Sequence, residues 1–273
     1  MTYPRLPKSY KRRFPFKICT TSFIYPEMYA PNICMLGPYL DEIELLFFDS
    51  TYEGSLLSAD QIDELSKLVR QFDLACNIHL PLDISLGDSD TKKRLRGVET
   101  VRHILRLTNS LNPSTYTVHL TYEEKSFFQG DVKLWLGRII KSFDEILKEK
   151  ITLQKFSVEN LLEYPFEWLD PIIADTGLHT CIDMGHFLQR GEDFETAFFK
   201  YASITDILHI YGVKDSMDHL SLDCLSAKCL KSMINILKDF TGTVSVEVFS
   251  FDNLNSSLML MDQWDFLVSK NLY

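Results

Sequence analysis

The sequence lacks the features of a membrane protein and of the common nucleotide-binding folds. Its apolar runs fall short of the about 18 residues that a transmembrane helix needs, and its basic start, MTYPRLPKSYKRRFPFK, has no apolar signal-peptide core. Neither GxGxxG nor a P-loop occurs, which argues against dinucleotide and P-loop nucleotide binding. No internal repeat or low-complexity segment stands out. We therefore expect a cytoplasmic protein that does not contact a membrane.

Paired cysteines and an excess of positive charge are also missing. The six cysteines are scattered without a CxxC motif, and Cys76 and Cys181 fall inside apolar runs, where a buried reduced thiol is the expected state. The formal net charge is −10. Because a duplex-DNA binder normally carries a basic face, we expect no nucleic-acid partner. A phosphate-containing substrate stays compatible with this charge, since bound cations would supply positive charge locally.

What the sequence does contain is a regular alternation of short apolar runs and amphipathic helices. The predicted strands cover residues 16–22, 41–48, 74–81, 114–120, 155–160, 179–183, 205–210 and 242–249. The predicted helices include residues 58–72, 91–108, 131–148 and 194–201, and a polar loop is predicted at 211–220. Eight such alternations in 273 residues predict an α/β fold, a single (β/α)8 TIM barrel. Residues 1–15 would be a flexible basic extension, and residues 16–273 one catalytic domain.

Metal-competent side chains stand at or near the ends of most of these strands. They are Glu44, His79, His119, Glu159, Asp183 with His186, His209 and Glu247. In a TIM barrel the carboxyl ends of the strands meet at one rim, where such folds place their chemistry. Each residue alone also has a structural interpretation: Asp183 could cap a helix with His186 packed beside it. Glu44 lies inside its strand and is either a site residue or an anchor for a backbone donor.

The number and mixture of these ligands predict a multinuclear metal site. Imidazole and carboxylate together suit Zn²⁺, Mn²⁺ or Fe²⁺, and there are more ligands than one ion needs. We expect two or three divalent ions, Zn²⁺ or Mn²⁺, with Glu159, Glu247 and Asp183 as the catalytic carboxylates. Such a site fits hydrolysis at phosphorus. Neither a Ser-His-Asp nor a Cys-His pair has a persuasive context, which disfavours covalent catalysis.

The order of the ligands, with Asp218 and His219 before the final glutamate, resembles the endonuclease IV/xylose isomerase-like TIM-barrel superfamily. In the endonuclease branch nine such ligands hold three metals. The resemblance implies a first ion on His79, His119 and Glu159, a second on Glu159, Asp183, His209 and Glu247, and a third on His186, Asp218 and His219. This chain departs from the endonuclease branch at the last pair of ligands. Asp218 and His219 are consecutive, whereas the branch has one residue between the aspartate and the histidine (Asp-x-His). Asp215 is an alternative to Asp218 as the ligand.

A closer resemblance covers almost the whole chain after the N-terminal extension. The segments that carry it are TTSFIYP, DEIELLFF, NIHLPLDISLGD, SVENLLEYPFEWLDPII, CIDMGH, DHLSLD and SVEVFSF. They are similar to the cobamide-remodeling phosphodiesterase (CbiR) family. The resemblance implies hydrolysis of the phosphodiester that links the lower-ligand nucleoside of a cobamide, a vitamin B12-type cofactor, to its corrin ring. The products would be cobinamide phosphate and an α-riboside, and the partner of the protein a small-molecule corrinoid.

Residues near the strand ends would line the substrate pocket. We predict substrate contacts from Phe23, Tyr25, Glu44, Tyr122, Tyr164 and Trp168. Two other interpretations stay open. A sugar or sugar-phosphate isomerase/epimerase of the same fold would need one metal on Glu159, Asp183, His209 and Glu247, with the two glutamates as acid and base. A non-catalytic corrinoid-binding protein that kept the fold is the other.

Overall fold

Ten short strands run through the described part of the chain, and eight of them close a parallel barrel. The structure is a computed structural model that describes residues 3–51, 56–123 and 128–264. In chain order the strands are β1 (Lys17–Thr21), β2 (Glu42–Leu46), β3 (Ala75–His79), β4 (Tyr116–Val118), β5 (Phe156–Glu159), β6 (His179–Asp183), β7 (Thr205–Ile210), β8 (Gly212–Lys214), β9 (Met217–Leu220) and β10 (Thr243–Val246). Around the barrel the order is β1-β10-β7-β6-β5-β4-β3-β2, so β10 closes on β1, and β8 and β9 form a separate antiparallel hairpin.

Helices connect the barrel strands and cover their outer face. They are α1 (Tyr29–Leu36), α2 (Ala59–Gln71), α3 (Thr91–Thr108), α4 (Gln129–Ile146), α5 (Asp170–Thr176), α6 (Met184–Arg190), α7 (Phe194–Tyr201), α8 (Ala227–Leu237) and α9 (Phe251–Asp262). In α2 the Ser58 hydroxyl accepts from the Gln61 amide, and the Gln61 side chain accepts from the Ser58 amide, which completes a capping box. Within the described residues, no helix is long and apolar enough to cross a membrane.

The predicted eight-stranded barrel is confirmed, and every barrel strand lies within its predicted range. Two local elements differ from the prediction. Helix α6, which the sequence offered only through the alternative that Asp183 caps a helix, starts directly after β6 with Asp183 as its N-cap. The predicted polar loop at 211–220 instead contains the β8–β9 hairpin, whose turn residues Asp215 and Ser216 both have positive φ. Polar side chains are common both in such turns and in loops, so the sequence pattern did not separate them.

The segment before β1 packs against the barrel, whereas its basic composition predicted a flexible extension. Leu6, Tyr10 and Phe14 are buried, with 3%, 0% and 3% of their surface exposed. Lys8 and Arg13, which alternate with these residues, both bind the carboxylate of Asp262 at the end of α9. The apolar residues of this segment recur every four residues between basic ones, so its composition is basic although one face is apolar.

Candidate metal centre

The carboxyl ends of the barrel strands bring the predicted ligands to one rim. His79, Glu159 and Asp183 are the last residues of β3, β5 and β6. His119 and Glu247 follow β4 and β10 by one residue. Because parallel strands end on the same side of a closed barrel, ligands that are distant in sequence become neighbours here. All five side chains line the same cavity or pack directly beneath it.

The first group of ligands consists of His79, His119 and Glu159. Glu159 Oε2 lies 3.2 Å from His79 Nε2 and 3.1 Å from His119 Nε2. Two ligand atoms bound to one tetrahedral Zn²⁺ lie roughly 3.3 Å apart, so these spacings suit a shared ion. His79 Nδ1 donates to the carbonyl oxygen of Leu80 at 2.9 Å, which leaves Nε2 as the ligand atom.

The second group consists of Asp183, His209 and Glu247. His209 Nδ1 lies 3.3 Å from Glu247 Oε2, 3.6 Å from Glu159 Oε2 and 3.9 Å from Asp183 Oδ2. This nitrogen is fully buried and has no hydrogen-bond partner among the described residues. An orphaned imidazole nitrogen that faces three carboxylates is what a divalent cation would satisfy, so the residues fit a metal.

Glu44 lies beneath this second group and supports His209 from behind. Its Oε1 accepts a hydrogen bond from His209 Nε2 at 3.0 Å, and its Oε2 accepts one from the Ser245 hydroxyl at 2.6 Å. The side chain is fully buried beneath the ligands, and its predicted contact with substrate stays a prediction. A carboxylate behind a histidine fixes the ring orientation and raises its basicity as a ligand.

Asp183 caps helix α6 and is also a candidate metal ligand, so the two interpretations of this residue are compatible. Its Oδ1 accepts from the His186 amide at 2.7 Å, and its Oδ2 accepts from the Tyr211 hydroxyl at 3.2 Å. The side chain of Asn160 bonds both the amide and the carbonyl of Asp183, at 2.7 and 2.9 Å. A Cβ on Gly185 would lie only 2.1 Å from the Tyr211 ring, so only glycine lets this ring approach.

Sequence reasoning assigned no role to Asn160, Tyr211 or Ser245 at this site. The signal for Asn160 was its position directly after Glu159 at the end of β5. Tyr211 and Ser245 carried no signal, because their contacts depend on strand register: Ser245 pairs with His209 across β10 and β7. These residues hold ligands in place and do not replace them.

The charges in the site are strongly coupled. Burial would raise the pKa of Glu159, but His119 and His209 hold it well below its ordinary value. Burial raises the pKa of Asp183 to about 7, while the pKa of Glu247 falls to about 2 because His209 outweighs its burial. Burial would lower the pKa of His209, yet the surrounding acidic groups raise it well above its usual range. A metal must therefore displace protons when it binds here.

Cys181 adds a thiol below the two groups of ligands, close to Glu159 and His209. Burial raises the pKa of this thiol well above its ordinary value. The neutral thiol is a weak metal ligand, so we assign Cys181 no place among the ligands.

The third ion implied by the sequence resemblance lacks its carboxylate. His186 and His219 both line the cavity, but Asp218 is exposed and accepts a hydrogen bond from the Gln189 side chain at 3.2 Å. His219 has a φ of 50° and the register of the hairpin shifts beside it, and the adjacent Asp218 side chain bonds Gln189 outside the cavity. Asp215, the alternative ligand, is exposed in the hairpin turn. The role of Asp218 as a ligand stays a prediction. His186 Nδ1 lies 3.5 Å from Glu159 and from Asp183 but donates to the Asn160 carbonyl, so the first and second groups carry the case for two ions.

The aromatic residues predicted to contact substrate lie outside the cavity over the metal ligands. Tyr25 is buried and donates to the Pro4 carbonyl, and Tyr164 is buried and donates to the Leu120 carbonyl, so neither is free to meet a ligand. Phe23, Tyr122 and Trp168 pack in aromatic clusters beside the cavity. The cavity, of about 270 Å³, is lined by Leu46, Phe47, Phe48, His79, Leu82, His119, Glu159, His186, His219, Glu247 and Phe249.

The family profile of the xylose isomerase-like TIM barrel matches residues 40–267. The chain belongs to the xylose isomerase-like TIM barrel family. A comparison of the sequence with curated proteins gave no match. Members of this family carry out enzymatic chemistry at the rim where the ligands of this chain gather.

Solved structures with the same fold are distant in sequence. A D-tagatose 3-epimerase-like protein is 17% identical with a TM-score of 0.74, and the match covers 94% of this chain and 100% of the other. Endonuclease IV from Thermus thermophilus is 15% identical with a TM-score of 0.67, over 91% of this chain and 98% of the other. The IolI protein, solved with a binding zinc atom, is 15% identical with a TM-score of 0.66, over 93% and 99%. At these identities the likeness shows the fold alone.

Proposed function

We propose that this xylose isomerase-like barrel is a divalent-metal-dependent phosphodiesterase. Its reaction would be hydrolysis of the nucleotide-loop phosphodiester of cobamides to cobinamide phosphate and an α-riboside. The observation that carries the proposal is the position of Glu159, whose Oε2 lies 3.1 Å from His119 Nε2 and 3.6 Å from His209 Nδ1. One carboxylate thus reaches both ligand groups, as a residue that bridges two ions must.

Two divalent ions in these groups would generate a hydroxide nucleophile near neutral pH and neutralise charge on the attacked phosphoryl group and the leaving oxygen. The protein supplies the geometry. Glu44 orients His209, and the Leu80 carbonyl orients His79. The Tyr211 hydroxyl and the Asn160 side chain together fix Asp183. This pre-organisation lowers the reorganisation needed during the reaction.

The cobamide as substrate is supported by the CbiR-like segments and by the character of the cavity. Its lining, among the described residues, contains no lysine or arginine but includes Leu46, Leu82 and two exposed phenylalanines. A nucleic-acid backbone would be read by basic side chains. An apolar lining over a metal-ligand cluster suits a phosphodiester that joins large, weakly charged groups.

A sugar epimerase is the second candidate, favoured by the neighbours in fold. A D-tagatose 3-epimerase-like protein and an L-ribulose 3-epimerase superpose with TM-scores of 0.74 and 0.67. One ion on Asp183, His209, Glu247 and Glu159 would serve that chemistry, with the two glutamates as acid and base. The one-metal epimerase reaction does not need His79 and His119 as metal ligands. Their approach to Glu159 within 3.2 Å is the reason to prefer two ions.

The two candidates separate in one assay. The purified protein, loaded with Zn²⁺ or Mn²⁺, is incubated with adenosylcobalamin and, separately, with a ketohexose, and products are followed by chromatography and mass. We expect cobinamide phosphate with the matching α-riboside, and an unchanged ketohexose. Intact cobamide together with an epimerised sugar would establish the second candidate instead.

A further inference from the structure

Three large apolar side chains stand exposed at the mouth of the metal-site cavity. Phe48, Leu82 and Phe249 expose 42%, 45% and 40% of their surface. All three line the same cavity as His79, His119 and Glu159. Large apolar side chains that remain in water next to a cluster of candidate ligands are typical of a ligand-binding surface.

The barrel order places the two phenylalanines on the same side of the mouth. Phe48 follows β2 and Phe249 follows β10, and both strands pair with β1. Their ring centroids are 6.1 Å apart with an angle of 46° between the planes. The two rings therefore contact each other as a tilted aromatic pair, here called the wedge, and keep their outer faces exposed at the cavity mouth.

Other aromatic rings hold this wedge from both sides. Phe23 packs on Phe48 at 5.1 Å between centroids, and Tyr29 meets Phe23 edge-on at 5.2 Å. His219 packs edge-on against Phe249 at 4.9 Å. Since Tyr29 is anchored by its hydroxyl to the Leu46 carbonyl at 2.7 Å, the row behind Phe48 is fixed to the barrel. Fixed rings lose little entropy when a ligand stacks on them.

Size and charge decide which part of the substrate fits the wedge. The cavity of about 270 Å³ can take a bicyclic ring with its sugar, whereas a corrin macrocycle with its side chains is too large for it. Neither lysine nor arginine lines it in the described part of the chain, and its histidines are the candidate metal ligands and their neighbours. An uncharged aromatic heterocycle matches both properties, because its faces stack on phenylalanine rings.

We infer that Phe48 and Phe249 form a stacking subsite for the aromatic base of the lower ligand, with the corrin ring left outside the cavity. This inference rests on the proposed function for the identity of the base. It places the specificity for bicyclic bases on two residues at the ends of β2 and β10. The phosphodiester then lies over His79, His119 and Glu159, at the floor of the same cavity.

The test measures binding without turnover. Equilibrium dialysis of the zinc-loaded protein against a benzimidazole α-riboside compares wild type with Phe48→Ala, Phe249→Ala and Phe48→Leu, with free ribose as the probe that lacks a base. Phe199→Ala is the matched control, since Phe199 lies on α7, is 57% exposed and does not line the cavity. Metal content is measured on every sample.

Wild type and the Phe199 variant should bind the riboside alike and ribose poorly. Each alanine variant should bind the riboside about tenfold more weakly at unchanged metal content, and Phe48→Leu should lie between, because it keeps apolar area but loses the ring face. Undetectable riboside binding by wild type, or equal binding by the alanine variants, overturns the subsite. Normal riboside binding beside intact adenosylcobalamin would overturn the proposed function and leave an aromatic-ring subsite in place.

Discussion

At the scale of single residues, the histidines of the site divide by the ring nitrogen that the protein engages. His79, His186 and His219 each donate Nδ1 to a backbone carbonyl oxygen, at 2.8–2.9 Å. His209 is reversed, with Nε2 held by Glu44 and Nδ1 turned toward the carboxylates. A backbone carbonyl fixes a ring without adding charge, whereas Glu44 adds a negative charge behind the ligand.

Replacing Glu44 with glutamine should weaken metal binding about 10- to 100-fold, because the amide keeps the shape but removes the charge behind His209. Chelator competition on the folded protein measures this, and the pH profile of metal binding should shift as well. Glu42→Gln is the matched control. Glu42 lies on the same strand, is fully buried, and binds Asn77 and Thr243 away from the site.

Both variants should lose some stability, but only the Glu44 variant should lose metal affinity. Equal loss of affinity in the two variants would show that burying any altered carboxylate disturbs the barrel, and would contradict the positioning role of Glu44.

Glu159→Gln should abolish turnover, since the residue approaches both ligand groups and an amide cannot bridge two cations as a carboxylate does. The fold should persist, because glutamine fills the same volume. Metal content should fall, as measured by elemental analysis after gel filtration, while the circular dichroism spectrum stays unchanged. Glu163→Gln, at an exposed position, is the control. Wild-type activity in the Glu159 variant would rule out the two-ion mechanism.

At the scale of elements, the β8–β9 hairpin decides how many ions the site holds. It delivers His219 to the cavity with φ of 50° and turns Asp218 outward to Gln189. Asp218→Asn should therefore leave the metal content at two per chain, while Asp183→Asn should lower it. A loss of metal on changing Asp218 would restore the third site that the sequence resemblance implied.

The contact between the N-terminal segment and α9 is the second element-scale feature. Burial alone would raise the pKa of Asp262, but hydrogen bonds from Lys8 and Arg13 outweigh it and lower the pKa. A lowered folded-state pKa stabilises the protein above the ordinary pKa of aspartate, about 3.9, and this contribution disappears as the pH falls through the lowered value. The two cations also offset the unfavourable position of an acid at the C-terminal end of a helix.

At neutral pH, Asp262→Asn should weaken the packing of the N-terminal segment on the barrel. The loss of stability should be about 1 kcal/mol, because the ion pairs are partly exposed. Hydrogen exchange of residues 4–16 should accelerate in the variant, and in wild type only in strong acid. Asp73→Asn removes the exposed Arg12–Asp73 pair and serves as control. Unchanged protection in the Asp262 variant would show that burial of Leu6, Tyr10 and Phe14 holds the segment without the ion pairs.

At the scale of the whole molecule, the barrel could be predicted because strand–helix alternation is a local pattern repeated along the chain. The grouping of His79, His119 and Glu159 followed from the rule that parallel strands end at one rim. The substrate residues could not be predicted the same way. Tyr25 and Tyr164 sit near strand ends, yet their hydroxyls bond backbone carbonyls inside the fold, a contact that no sequence pattern encodes. Glu44 was ambiguous because the direction of its buried carboxylate is set by His209 on β7 and Ser245 on β10, which are distant in sequence.

Anomalous diffraction from crystals of the zinc-loaded protein tests the two-ion site most directly. A two-ion site should give two strong peaks about 3.5–4 Å apart with Glu159 between them. His79 and His119 should lie at one peak, and Asp183, His209 and Glu247 at the other. A single peak on Glu159, Asp183, His209 and Glu247, with His79 and His119 away from any ion, would contradict the two-ion phosphodiesterase and favour the one-metal epimerase.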